Sequence, residues 1–441
     1  MSNGQRPDGA RRTGMGVVLL VLLAAAVIVY ADRDEDDDGE GQACRPLQIS
    51  RWAKDRGMTE EFVRYGDDTG RADDWTGGDG NHSVRLPDGR TLWLASDPYL
   101  DTVKRPPNQQ GQLYPWRDTS LGRTPSWVRN AAMVMSADGR LERTILGQGP
   151  GGTPTPLFPD PSAPVTQWRW PVQAVVEPER PGADKKVVRV LLWKRQQAQA
   201  PWIYGVPLGT EVATLSLPDL RVQSVEQVSD QSGVKNPDKR VLYGAGSVTH
   251  GGHTYVFGGS DGRNAQAEKG TSSAYVARVP AGRLADRGAW RYWDGDAWRT
   301  DPAKAAPVLG DRGKRGVGSA FSVVRQDGTW VLFTMDAGDG GRKGLSHITS
   351  YWSCSATGPW HGPTRSIEAP LPRDTAPRDG AAVYNPQVHP ELSKGGRLLL
   401  SYDVNWLDAS ASAVSTNVNR NVALYRPAFL RLRLGPAPDP G

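Results

Sequence analysis

Cysteine and histidine are scarce in this 441-residue chain, which has two of the first, Cys44 and Cys354, and six of the second. Two cysteines exclude a disulfide-dense scaffold and a zinc site built from four of them. The histidines are scattered without ligand spacing, so no metal and no cofactor is expected. A G-x-S-x-G elbow, an H-E-x-x-H helix and a phosphate-cradling loop are all missing. The net charge is only +5, from dispersed cations, so nucleic acid is not an expected partner. Lysine supplies few of the 53 cations and isoleucine is rare, the bias of a GC-rich genome. With 38% hydrophobic and 23% charged residues, the chain is neither a polytopic membrane protein nor wholly disordered. Helical periodicity is hard to find beyond residue 67. What is plentiful is glycine and proline, 51 and 35 residues, which calls for many turns.

One uncharged run stands out, residues 14–31, and its 18 residues just suffice to span a bilayer. Arg6, Arg11 and Arg12 precede it, and an acidic stretch from Asp32 to Glu40 follows. That asymmetry places residues 1–13 in the cytoplasm and exports the rest, anchored in the cell membrane by a single pass. A cleaved signal peptide, giving a secreted protein, is the rival reading, since residues 29–31 (VYA) suit a signal peptidase. The anchor is favoured because the run is long and ends in Val, Ile and Tyr. The acidic stretch fails as a calcium loop, because Arg45 stands where the last ligand, a Glu, is required. Residues 32–50 therefore read as a solvated linker. Outside the cytoplasm Cys44 and Cys354 are free to pair, although spacing alone does not establish their proximity.

From residue 77 onward one pattern recurs: a short strand, a tight turn, a hydrophobic second strand and a longer loop. Examples are residues 80–86 with 91–96 (TLWLAS), 244–249 with 253–258 (HTYVFG), and 316–324 with 329–335 (TWVLFTM). Residues 172–177 with 187–194 and 381–388 with 397–404 complete five such pairs. A second hairpin follows each pair except the last, which has a lone strand over 422–434. Repeats start near residues 77, 170, 244, 316 and 380, a spacing that fits four-stranded propeller blades. Small residues at the start of the inner strands, such as Gly244-Ala245-Gly246, suit convergence on an axis. The expected fold is all-β, a five-bladed β-propeller over residues 51–435 with a tail at 436–441. Residues 61–66 (EFVRYG) are expected to supply the missing strand of the last blade.

In such a blade the long loops between second and third strands lie on one face, and loops on a rigid scaffold concentrate function. That face holds Asp79 and Asn81 at the start of the first inner strand, and Asp97 at the end of the second strand. Arg129 and Asn130 re-enter beside them, and Trp168 and Trp170 precede the second inner strand. Asp261, Asp336, Asp403 and Asn405 end later second strands. Carboxylates converging on a channel mouth suit glycosidic hydrolysis, one protonating the leaving oxygen and another activating water. Trp168 and Trp170 are expected to form a sugar face, with Asn81, Arg129, Asn130, Asp336 and Asn405 completing the substrate contacts. Plainer roles exist: Asp79 suits capping of backbone amides, Asp261-Gly262 suits a turn, and Arg129 suits a structural pair with Asp97. Trp93, Trp193 and Trp330 are expected between blades, and His389 is expected to be structural.

Residues 75–100 (WTGGDGNHSVRLPDGRTLWLASDPYL), with Arg129-Asn130, resemble the opening blade of secreted actinobacterial proteins of domain-of-unknown-function family 4185 and its neighbours. Residues 290–298 (WRYWDGDAW), 384–391 (YNPQVHPE) and 401–405 (SYDVN) extend the resemblance over the propeller. That family is similar to glycoside hydrolase family 43, and some members are endo-D-arabinanases. The resemblance implies a glycosidase using Asp79 and Asp97 as its carboxylate pair. This chain departs from the family pattern at Ser96-Asp97-Pro98, where Gly-Asp-Thr is usual. It also has Gln173, and no Glu in residues 244–249, where family 43 carries its other carboxylates, so that three-carboxylate mechanism does not transfer.

Two readings stand at this point. One is a monomeric, membrane-anchored extracellular glycoside hydrolase acting on an arabinan-like polysaccharide. The other is a carbohydrate- or cell-wall-binding propeller without catalysis. A Kelch-like interaction propeller is weaker, since the Gly258-Gly259 pair is not repeated in that context.

Overall fold

The computed structural model describes residues 43–68, 73–199, 202, 204–260, 272–311, 315–336, 346–372, 381–406 and 417–438. The expectations for the apolar run at 14–31 and for Asp261 lie outside them. Among the described residues no helix is long and apolar enough to cross a membrane.

Five antiparallel sheets form the blades. The first runs from Gly77–Arg85 at the axis through Thr91–Tyr99 and Asn130–Met135 to Leu141–Ile145. The second is Gln167–Pro178, Lys186–Gln196, Val206–Leu215 and Val222–Asp230. The third begins Val241–His250, His253–Ser260 and Ala274–Pro280, then adds two short strands, Arg291–Trp293 and Trp298–Arg299. The fourth is Ser322–Gln326, Thr329–Met335, His347–Ser353 and Ile367–Glu368. The inner strands pack side by side in chain order, and the fifth, Ala381–Lys394, returns to the first. The five-bladed propeller read from the repeats is therefore the observed fold. Gly246 lies where a Cβ would sit 2.9 Å from the Val323 amide of the neighbouring inner strand, the close approach expected near the axis.

The fifth blade is closed by the N-terminus, through a different segment from the one expected. After Arg397–Trp406 and Ala428–Pro436, its outer strand is Leu47–Lys54, paired antiparallel with Ala428–Pro436. The propeller thus begins four residues before position 51, inside the segment read as linker. Residues 61–66 are instead the end of an α-helix, Arg56–Gly66. Asp55 caps it by accepting the Met58 amide at 2.9 Å. Met58, Phe62 and Tyr65 then recur at helical spacing, and Phe62 and Tyr65 are buried. Phe62 packs against Trp75, Trp93 and Phe429, so one short helix plugs the join between first and last blades. The apolar face covers only three turns, too brief to override the strand-like run Phe62-Val63-Arg64-Tyr65 in the sequence.

The core lies between blades rather than within one. Trp93, Trp193 and Trp330 are all buried there. Polar pins cross the same seams: Glu177 of the second blade accepts the Gly282 and Leu284 amides at 2.9 and 3.1 Å. Cys44 and Cys354 are joined, with Cα atoms 5.5 Å apart. The bond ties the closing strand to the fourth blade, beside the Arg45 amide, which donates to Thr329 Oγ1 at 3.1 Å. Because it closes a loop of 310 residues, replacing both cysteines by serine should lower unfolding free energy by about 2–5 kcal/mol. A denaturant melt that leaves the midpoint unchanged would show that the closing strand holds without the staple.

Candidate active site

The first inner strand carries the sequence Gly-Gly-Asp-Gly-Asn, and its register shifts on both sides of Asp79. Gly80 sits at φ 65°, and a Cβ there would lie 2.9 Å from Ser96 Oγ, so both its backbone angle and its surroundings demand glycine. This local kink turns the Gly80 amide and the Asn81 side chain toward the fifth blade. There Asp403 accepts the Gly80 N–H at 2.8 Å, Asn81 Nδ2 at 2.9 Å and Asn385 Nδ2 at 3.1 Å. Asp403 is only 3% exposed, and three N–H donors surround its carboxylate. Asp79 is half-buried and accepts the Tyr384 hydroxyl at 2.7 Å.

Asp97 ends the second strand of the first blade at φ 43°, and Asn385 sits at φ 49°. Aspartate and asparagine tolerate the left-handed region best among non-glycine residues, yet two such residues near Asp79 and Asp403 are strained positions of the kind that gather at functional sites. Asp97 is 23% exposed at its side chain and meets Arg129 Nη1 at 3.2 Å. Arg129 in turn lies over the Trp168 ring, 4.3 Å from its centroid, and 4.8 Å from that of Trp127.

Burial pushes Asp79 well above the usual carboxylate range, and the negative charges of Asp403 and Asp97 add to the effect. The hydroxyls of Tyr384 and Tyr425 oppose it and do not win. Burial also pushes Asp403 up to about 6, against its three donors. Of these two neighbours Asp79 holds the proton, because the N–H groups around Asp403 reward its charge. Asp97 is raised by burial too, but the Arg129 charge favours its ionised form, and the Trp170 indole N–H faces it without completing a hydrogen bond. The site therefore sets a carboxyl pushed toward its protonated form beside one held against a guanidinium, neither fully buried, next to a third that is sealed.

Asp79, Asp97, Asn81, Arg129 and Trp170 thus meet in one place. Asn81 supports Asp403, and its burial closes the Asn-x-Ser sequence around it to modification. Four expectations change. Asn130 is fully buried, donating to the Arg169 carbonyl at 2.9 Å and accepting the Phe158 amide at 2.8 Å; it fastens the first blade to the second. Trp168 is 8% exposed beneath Arg129 and offers no open sugar face. Asp336 is engaged within its own blade, accepting the Ser366 hydroxyl while its amide donates to His347. Asn405 Oδ1 accepts the Trp406 amide at 2.8 Å. Trp170 keeps a half-buried ring, with Arg195 over it at 5.2 Å.

The residues that the sequence did not single out for the site come from the fifth blade, Tyr384, Asn385 and Tyr425, and they surround Asp403, which the sequence had placed on this face. Tyr384 and Asp403 are register partners on adjacent strands, and both fall in the segments YNPQVHPE and SYDVN. His389, further along the same strand, is buried against Trp93 and bonds Ser83 and Ser401; burial lowers its pKa to about 3, a structural and neutral histidine. Gln173, where a second-blade carboxylate was sought, bonds the Ala174 amide at 2.9 Å. Among the described residues no cluster of His, Cys, Asp and Glu could hold a metal ion.

No curated protein sequence matches the chain. A crystal structure of a putative hydrolase from Bacteroides ovatus superposes with a TM-score of 0.62 at 17% identity, covering 88% of this chain and 93% of that one. At that identity the likeness concerns the fold. Weaker matches include a glycoside hydrolase family 43 β-1,3-galactosidase, with TM-score 0.39, 10% identity and coverage of 82% and 93%. An α-L-arabinanase from Cellvibrio cellulosa gives 0.35 and 12%, covering 62% of this chain and 72% of that one. Residues 63–434, nearly the whole propeller, match the domain of unknown function DUF5005, and the chain belongs to that family.

Proposed function

We propose that this protein is an exported glycoside hydrolase that cleaves a polysaccharide, with Asp79 as general acid and Asp97 as base or nucleophile. The observation that carries the reading is the placing together of two carboxyls in unlike surroundings, Asp79 bonded to the Tyr384 hydroxyl and crowded by Asp403, and Asp97 matched by Arg129. Glycosidic hydrolysis needs such a division of labour. Asp79 would pass its proton to the leaving oxygen as the C–O bond breaks. Asp97 would either take a proton from the attacking water or bond to the anomeric carbon until water replaces it. Water supplies the new hydroxyl; in the covalent route Asp79 takes the proton of that water, and in the direct route Asp97 gives its proton to solvent while Asp79 takes one up, so the free enzyme returns with Asp79 protonated. Asp403 touches neither reactant; it is a positioning residue that keeps the acid protonated. Export by residues 14–31, as an anchor or a cleaved signal, is supported by the Cys44–Cys354 bond, which suits an oxidising compartment. Arabinan-like glycans of a cell wall or the environment are the first substrates to try.

Oligosaccharides released from arabinan, arabinogalactan and xylan by residues 43–441 would be chromatographed for the parent and for Asp79→Asn and Asp97→Asn. Each substitution should lower kcat/KM by roughly 10²–10⁴-fold. Silence across the panel, with the parent retained on a polysaccharide column, would assign a binding module instead. The pH profile offers a second check. The negative charge of Asp403 raises the pKa of Asp79, so Asp403→Asn should lower it and move the alkaline limb of kcat/KM toward lower pH. An alkaline limb that stays in place would remove Asp403 from the account.

A further inference from the structure

Six large apolar side chains are exposed among the described residues, and three of them, Leu113, Leu121 and Trp127, lie between the second and third strands of the first blade. This insertion is fastened down. Arg117, 1% exposed, donates to Thr76 Oγ1 at 2.9 Å, and the Val422 amide donates to the Pro115 carbonyl at 3.0 Å. The Leu100 amide donates to Ser126 at 2.8 Å and the Val128 amide to Pro98 at 3.1 Å, which sets Trp127 opposite Tyr99 in an antiparallel bridge. Trp127 is therefore held by backbone bonds to the strand end that carries Asp97, and it is still 42% exposed.

Its neighbours explain why the ring stays in place. The Arg129 guanidinium lies 4.8 Å from the Trp127 centroid and 4.3 Å from the Trp168 centroid, and is bonded to Asp97 at 3.2 Å. One guanidinium therefore lies against both a buried and an exposed indole and also meets the Asp97 carboxylate of the site. A rigid, exposed indole offers an apolar face with negative charge at its centre, the complement of the C–H face of a sugar ring. We propose that Trp127 is a stacking platform for a sugar unit of the substrate chain on the Asp97 side of the cut, so that the ligand is a glycan polymer rather than a single small glycoside. This rests on the reading of Asp79 and Asp97 as a glycosidase pair. The platform takes the place of the Trp168 expected from the sequence.

Native gels containing arabinan, arabinogalactan or xylan test it, with Asp79→Asn as the background so that the polymer is not consumed. Adding Trp127→Ala should weaken retardation roughly tenfold in the gel that slows the background protein. Adding Trp127→Phe, which keeps an aromatic face, should retain most of it, separating stacking from misfolding. Equal migration of the Asp79→Asn protein with and without Trp127→Ala in every gel would overturn the platform. Digestion of the same polymers by the parent separates the two claims. Cleavage with retardation indifferent to Trp127 sinks the platform and leaves the enzyme. Retardation dependent on Trp127 without cleavage leaves a glycan platform and sinks the enzyme.

Discussion

A ring of blades has to join its last sheet to its first, and in this protein the candidate site is built on that join. Asp79 and Asn81 belong to the first blade; Asp403, Tyr384 and Asn385 belong to the fifth, more than 300 residues away in the chain. Their contacts exist only when the ring is closed. Closure is secured by the Leu47–Lys54 strand on the edge of Ala428–Pro436, by the helix whose Phe62 packs between Trp93 and Phe429, and by the Cys44–Cys354 bond. An unpaired edge at that position would leave a row of backbone groups without partners. The same elements that stabilise the fold therefore hold the site together.

Holding three carboxyls near one another has an electrostatic cost, and the structure divides it unequally. Asp403 is sealed from water but receives three N–H donors, one of them a backbone amide freed by the kink at Gly80. Asp97 is matched by Arg129. Asp79 has hydroxyl donors and no cation, so the proton collects there. Charges on Asp97 and Asp403 raise the affinity of Asp79 for its proton in the way two carboxylates sharing a site do. Left-handed backbone at Asp97 and Asn385 adds local strain in both blades that meet at the site. Strain gathers at the candidate site, and the inter-blade tryptophans supply stability elsewhere.

Much of this was legible in the sequence, because turn residues and alternating strands repeat at blade spacing and glycines mark the axis. That Asp79 and Asp97 lie near one another was legible too, since they flank one hairpin. What the sequence hid depends on contacts between distant strands. Asp403 and Asn405 sit two residues apart on the same strand, and only the pairing of Tyr384 with Asp403 shows which one meets the first blade. Asn130 reads as a polar residue at a loop end, yet burial at the seam makes it a fastener. Trp168 reads as an open aromatic face near the site, yet it is buried beneath Arg129, while Trp127, which no repeat marks, is the exposed ring. The helix at Arg56–Gly66 was masked by β-branched and aromatic residues in a segment too short to show its period.

The account turns on Asp79 carrying a proton at neutral pH while Asp403 is charged. Infrared difference spectroscopy on protein with isotope-labelled aspartate reads that state directly. The account predicts a protonated-carboxyl band at neutral pH that is lost in Asp79→Asn and weakened in Asp403→Asn. A neutral-pH spectrum with no protonated aspartate, or a band that survives Asp79→Asn, would contradict it.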